Sequence, residues 1–309
     1  MHIKKNLFLS LLLAVSLMAE ENVTSTNIDH YHDTMCQFLV NTSHSIDDYF
    51  IEGNTTELSK TRAEFSTSYA IEGHQKDQQD IRLRLRLNLP KIQKNLRLVF
   101  EDETNDDALY DGTTLNDQTT LQNKRYYLRL DYFNYVKEKF NMVLGGGVRI
   151  RHSNLVPYLN FRSNYDVYQD TKIKSQFYNR FRFYSDGEIE NIFEFNSIYT
   201  LNPSLYATWR NQLSYERSSR FQTLLNDVTL IQVLDDRKQL QGGVGVVSSF
   251  NQFKNANIDY YHLHGLYQHI FYKNWMYYQL APSILWRETN NFNVSYRFMV
   301  NFGILFNND

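Results

Sequence analysis

The stretch "DIRLRLRLNLP", Asp80 to Pro90, alternates leucine or isoleucine with arginine or asparagine without a break. A period of two sends successive side chains to opposite faces, so these residues specify a strand with one greasy and one cationic face. The same alternation runs through most of the chain. "TRAEFSTSYAI" (61–71) sets Ala63, Phe65, Tyr69 and Ile71 against Arg62, Glu64, Ser66 and Ser68. Further alternating segments occupy 96–101, 126–132, 140–151, 157–167, 172–184, 191–201, 205–216, 221–233, 239–248, 259–269, 276–287 and 292–306. With Asp80–Pro90 these predict fourteen strands. The tenth is the least regular, because Asp227 falls on its apolar face, and a slip there would lower the count to twelve.

An apolar face on every strand needs a partner. A soluble sandwich would bury it inward. Here, however, the opposite face carries long charged side chains, and aromatic residues gather near strand ends: Tyr126, Tyr132, Tyr199, Trp209, Tyr215, Trp275, Tyr277, Tyr278, Trp286 and Phe306. That placement suits the two girdles of a membrane barrel. Connections before odd-numbered strands are short ("NPS", "QD"), whereas those before even-numbered strands include the acidic run "EDETNDDALYDGTTLNDQTTLQ" and "FNQFKNANI". The expected fold is an all-β, antiparallel up-and-down transmembrane barrel.

The N-terminus agrees. Lys4 and Lys5 precede the apolar "LFLSLLLAVSLMA", which is short for a bilayer span and reads as a secretory signal over 1–19. Residues 20–59 lack alternation, and Met35, Phe38 and Leu39 are spaced as on a helix capped by Asp33 or Thr34. This segment is expected either in the periplasm or tucked into the barrel mouth; the barrel takes 60–309. The one cysteine, Cys36, excludes an internal disulfide and is expected to be packed and inert. Removing 1–19 leaves 30 basic and 34 acidic residues, a balance that gives no reason to expect nucleic acid as a partner.

A secretory signal, alternating hairpins and the terminal "YRFMVNFGILF" resemble a bacterial outer-membrane β-barrel of the porin type, over residues 60–306. The "LRLRLNLP…LRLVFE" hairpin is similar to those of uncharacterised proteobacterial barrels. The resemblance implies an outer-membrane location with lipid and lipopolysaccharide around the wall. It also implies recognition of the last strand by the assembly machinery through an aromatic end residue. Phe306 holds that place, although Asn307, Asn308 and Asp309 follow it.

Arginine at the lipid midplane costs roughly 2–4 kcal/mol, so Leu83, Leu85, Leu87 and Leu89 must face lipid, and Arg82, Arg84 and Arg86 a lumen. Extending the register places Arg97, Arg129, Arg149, Arg151, Arg162, Arg180, Arg182, Arg210 and Arg297 there too, with Arg62, Arg125, Arg287, Lys172 and Lys174. The inward acids on this reading are Glu64, Glu101, Asp131, Asp166, Glu190, Glu194 and Glu216. An acidic chain thus acquires a basic interior. Either that interior is hydrated and passes small anionic solutes, or charge pairing fills it and the barrel serves as an anchor or binding protein. Inward Gly145, Gly147, Gly243 and Gly245 either make room or let the wall bend.

No catalytic residue, metal or cofactor is expected. In "RHSN" (151–154) His152 and Ser153 are adjacent and diverge, unlike the histidine–serine pair of the barrel phospholipases. His262 and His264 share a face but are only two ligands, and His30 and His32 with Asp29 and Asp33 form a looser group. The acidic loop with Asp102, Asp106, Asp107, Asp111 and Asp117 reads as solvated.

Overall fold

The computed structural model describes residues 22–50, 61–73, 75–89, 97–102, 126–151, 154–217, 221–251 and 254–307. The expected signal over 1–19, His152, Ser153 and most of the acidic loop lie outside these residues. The chain forms a helix and fourteen strands. Helix α1 spans Asn22–Phe50; β1 (Arg62–Glu72), β2 (Gln78–Asn88), β3 (Arg97–Asp102) and β4 (Tyr126–Lys137) follow. Next come β5 (Phe140–Arg151), β6 (Asn154–Gln169), β7 (Ile173–Tyr184), β8 (Ile189–Asn202) and β9 (Leu205–Glu216). The last are β10 (Phe221–Asp235), β11 (Lys238–Asn251), β12 (Lys254–Tyr272), β13 (Met276–Arg287) and β14 (Val294–Asn307).

Each strand pairs antiparallel with its chain neighbours, and β1 pairs with β14 to close the barrel. Closure satisfies the backbone donors and acceptors of every strand without water. The tenth strand does not slip, since its register with β11 is unbroken from Phe221↔Asn251 to Val233↔Gln239. Directly opposed residues share a face, so register fixes orientation. Leu83↔Phe65 and Arg84↔Glu64 put leucine outside and charge inside, as the alternation requires.

The outer wall is an apolar belt. Leu83, Leu130, Leu144, Leu159, Phe183, Trp209, Val228, Leu230, Val244, Leu263 and Phe298 all stand exposed on it. A continuous apolar surface of this extent, on strands mostly of eleven residues or more, is the mark of a barrel wall in lipid. No helix among the described residues is long and apolar enough to cross a membrane.

Four expectations change. Tyr277, assigned to a girdle, points inward, and its hydroxyl donates to Glu64 Oε1 at 2.5 Å. The connection "FNQFKNANI" shrinks to 252–253, because β11 and β12 extend into it. Leu87 and Leu89, expected against lipid, are buried, each 2% exposed. Finally, α1 begins well before Asp33 and Thr34, so neither caps it; Thr34 Oγ1 instead donates to the His30 carbonyl at 2.7 Å.

The helix docks at the end of the barrel that carries the short turns. Its buried stripe is His32, Cys36, Leu39 and Ser43, while Met35 and Phe38 are exposed. His32 stacks between Trp275 and Phe306, with centroids 4.2 and 5.4 Å away, and lies 3.0 Å from the Leu305 carbonyl. Asp29 pairs with Lys273 at 2.7 Å and accepts from the Tyr272 hydroxyl at 3.1 Å. Burial pushes the Cys36 thiol pKa up, which disfavours the reactive thiolate.

The Lys273 ammonium holds the Asp29 carboxyl below its ordinary pKa. A depressed carboxylate contributes its stabilisation above the unperturbed value, and that contribution disappears as pH falls through the depressed one. The Asp29–Lys273 contribution to helix docking should therefore be constant at neutral pH and be lost only in acid, below about pH 4. Trp275 emission should shift in that window, and Asp29→Asn should abolish the acid-dependent step.

Candidate functional site: an arginine-rich inner wall

Five buried inward arginines, Arg129, Arg149, Arg162, Arg180 and Arg182, converge on one wall, β4 to β8. The wall is organised around β5, whose inward positions include Gly145 and Gly147. A side chain at Gly145 would place Cβ 2.9 Å from Asp131 Oδ1, and one at Gly147 would meet the Tyr158 ring at 2.9 Å. The β4 backbone also approaches closely, with the Leu130 and Leu128 carbonyls nearest to a Cβ at Gly145 and Gly147. The glycines give space to side chains leaning over from β4 and β6.

Into that space come paired charges. Arg129 Nε donates to Asp131 Oδ1 at 2.8 Å, and Arg162 Nη2 reaches across β5 to Asp131 Oδ2 at 2.5 Å. Nearer the long-loop end, Arg149 contacts Asp186 at 2.8 Å and Glu190 at 3.6 Å, and Arg182 contacts Glu190 at 3.5 Å. Three inward tyrosines complete the wall: Arg149 lies 3.9 Å over Tyr184, Arg182 lies 4.2 Å over Tyr127, and Tyr158 packs between the other two rings. Arg149 and Arg182 thus combine a carboxylate with an aromatic face, the pairing expected for buried arginine.

Arg180 differs. It is 7% exposed and stands directly opposite Arg162, and its side chain makes no hydrogen bond or ion pair among the described residues. Close by, fully buried Asn160 leaves both amide atoms without partners. Against the wall's five guanidinium groups stand three carboxylates among the described residues, Asp131, Asp186 and Glu190. The wall's other inward acids are engaged elsewhere, Asp166 by Gln176 and Glu194 by Arg210 of β9. Buried donors without acceptors call for water or an anion.

The remaining predicted lining is more dispersed. Arg82 pairs with Asp80 at 3.0 Å, and Arg84 lies 3.8 Å from Glu64. Arg210 binds Glu194 at 3.0 Å, and Arg297 donates to Gln78 at 3.2 Å. Arg287 meets Glu72 at 2.8 Å. Arg86 is half-buried and Arg97 is exposed at the start of β3. Arg151 ends β5, with its side chain outside the described residues. Sequence reading missed three inward acids, Glu72, Asp80 and Asp227. Glu72 continues the alternation one step past its assigned strand end and Asp80 opens its own assigned stretch, and that alternation was the available signal. Of the looser His30 group, His32 stacks on Trp275 and lies 3.4 Å from Asp33, while Asp29 pairs with Lys273.

No protein-family model matches the chain, and no curated protein matches it. Solved structures do. A bacterial polysaccharide outer membrane secretin is 11% identical, covering 81% of this chain and 98% of its own, with a TM-score of 0.47. The outer membrane channel DcaP of Acinetobacter baumannii is 9% identical over 80% and 96%, with a TM-score of 0.48. OmpT, an outer membrane protein of Vibrio cholerae, is 9% identical over 82% and 99%, with the same score. No residue role passes from any of them to this chain. By its closed wall and apolar belt, this chain is a membrane β-barrel.

Removing one partner of a buried ion pair typically costs 3–5 kcal/mol, because the other charge stays buried. Asp131→Asn should therefore destabilise the barrel by about 3–5 kcal/mol in urea titration of the refolded protein. Arg180→Gln, which breaks no described ion pair, should leave the midpoint nearly unchanged.

Proposed function

We propose that the protein is a channel of the bacterial outer membrane through which small anionic solutes diffuse along the arginine wall. The short-turn end and α1 then face the periplasm, where α1 sits at the rim. The observation that carries the reading is Arg180, a buried cation with no described counter-charge in a lumen-facing wall already rich in guanidinium. Such a group raises the local anion concentration and replaces part of a solute's hydration. A fourteen-stranded wall encloses enough width for water between its inner side chains. Lipid, lipopolysaccharide and the assembly machinery, reading the strand that ends at Phe306, are the further partners that this role entails. No catalytic chemistry is part of it.

The second reading is a filled, non-conducting barrel that anchors or binds a partner. It draws on the same wall, where Arg129, Arg149, Arg162 and Arg182 are each under 10% exposed and paired with carboxylates, and Arg149 and Arg182 also lie over tyrosine rings. Planar-bilayer recording separates the two. Under a salt gradient the refolded protein should give stable single-channel conductance with an anion-biased reversal potential. Arg180→Gln should reduce that bias, and Arg180→Glu should reduce it further, with the fold intact. The triple substitution of Arg82, Arg84 and Arg86 should act more weakly, since two of the three are balanced by Asp80 and Glu64. Silence from folded protein would reject conduction in favour of the filled barrel.

A further inference from the structure

Across the lumen, β10, β11 and β12 build a second cluster of different chemistry. Asp227 from β10 and His262 and His264 from β12 each offer one ligand atom, all within 4.8 Å of one another. His262 Nε2 lies 3.0 Å, and His264 Nδ1 3.5 Å, from the same oxygen, Asp227 Oδ2. Both imidazoles are 6% exposed.

We propose that Asp227, His262 and His264 form a binding site for a divalent first-row transition-metal ion such as Zn2+. Proton accounting leads there. Thr229 Oγ1 lies 2.6 Å from Asp227 Oδ1, which as a carboxylate oxygen can only accept, so the threonine proton points to it. The same Oγ1 must then accept from His264 Nε2, 3.2 Å away. A neutral imidazole protonated at Nε2 carries a lone pair at Nδ1, and that lone pair faces Asp227 Oδ2. Nδ1 of His264 has no hydrogen-bond partner among the described residues. A cation between the two resolves the opposition, and Thr229 acts as the outer group that sets the tautomer.

The spacing and surroundings fit. Ligand atoms around a tetrahedral Zn2+ with bonds of about 2.0–2.1 Å stand roughly 3.3 Å apart. The two separations here, 3.0 and 3.5 Å, bracket that value. Two imidazoles and a carboxylate are a donor set for Zn2+, Fe2+ or Co2+ and a poor one for Ca2+ or Mg2+. Gly243 and Gly245, on the strand between, leave the room: a Cβ at Gly243 would sit 2.7 Å from His264 Nε2, and one at Gly245 2.6 Å from His262 Nε2. Arg210, the residue opposite Asp227 on β9, is turned to Glu194 and Gln212, so its charge does not take the carboxylate. Three protein ligands leave a coordination position for water or a solute. The site does not depend on whether the barrel conducts.

The test uses the tag-free full chain, refolded in detergent and freed of metal. Calorimetry should show one Zn2+ bound per chain, and Co2+ should give the visible bands of a tetrahedral nitrogen–oxygen site. His262→Gln and His264→Gln should each weaken Zn2+ at least tenfold, whereas His32→Gln and His269→Gln should not. Should the cluster variants misfold, Zn2+ must protect His262 and His264 of the unaltered chain from diethyl pyrocarbonate, read by mass spectrometry. Folded protein that binds no Zn2+, binding unchanged by His262→Gln and His264→Gln, or absence of that protection would each overturn the site.

Discussion

The pairing of β1 with β14 is the constraint on which everything else depends. A sheet in lipid cannot leave an edge, since its unpaired backbone groups would have no water to bond. Eleven successive pairs, from Arg62↔Asn307 to Glu72↔Arg297, remove that edge. Once the wall is closed, the two-residue period assigns every side chain to lipid or lumen, and a slip of one residue would turn Arg82, Arg84 and Arg86 into lipid. Fold and inner chemistry are therefore one decision. The charged face is inside because nothing else is compatible with the leucine face being outside.

That inner face is under tension between pairing and surplus. Where a carboxylate is available, arginine takes it, often with a tyrosine ring beneath. Sequence counting overstated the surplus because Glu72 and Asp80 were left out, and these balance Arg287 and Arg82. Of what survives, Arg180 is buried on the wall where Arg162 stands directly opposite it, whereas Arg86 is half-buried and Arg97 exposed. A buried excess is a better place for an anion than an exposed one, because less water screens its field.

The alternation made the strands legible: "FNMVLGGGVRIR" and "LYATWRNQLSYE" match β5 and β9 residue for residue. Period two also made orientation legible, down to the inward glycines. It does not report which inward residues meet, because contacts cross strands far apart in sequence. Asp227 on an otherwise apolar face looked like a fault in the tenth strand. It is inward, with His262 and Thr229 for partners, and its face mixes Leu225 and Ile231 with it. The helix was legible only as a helix: its docked stripe is His32, Cys36, Leu39 and Ser43, whereas the apolar Met35 and Phe38 that announced it remain exposed.

The two clusters share one construction. Neighbouring strands lie about 4.8 Å apart, so side chains on strands i and i+2 must cross roughly twice that distance to touch. Any side chain on the strand between would stand in the way. At both places it is glycine. Asp131 of β4 meets Arg162 of β6 above Gly145, and Asp227 of β10 meets His262 of β12 above Gly245. Gly145 and Gly245 in this wall therefore mark where polar side chains of next-nearest strands meet. That gives the barrel a lateral tie the backbone ladder alone lacks. Glycine within a strand weakens it, and the weakening is tolerated where a hydrogen bond crosses it. On this construction, enlarging Gly145 or Gly245 would act on the charged pair above it more than on the strand that carries it.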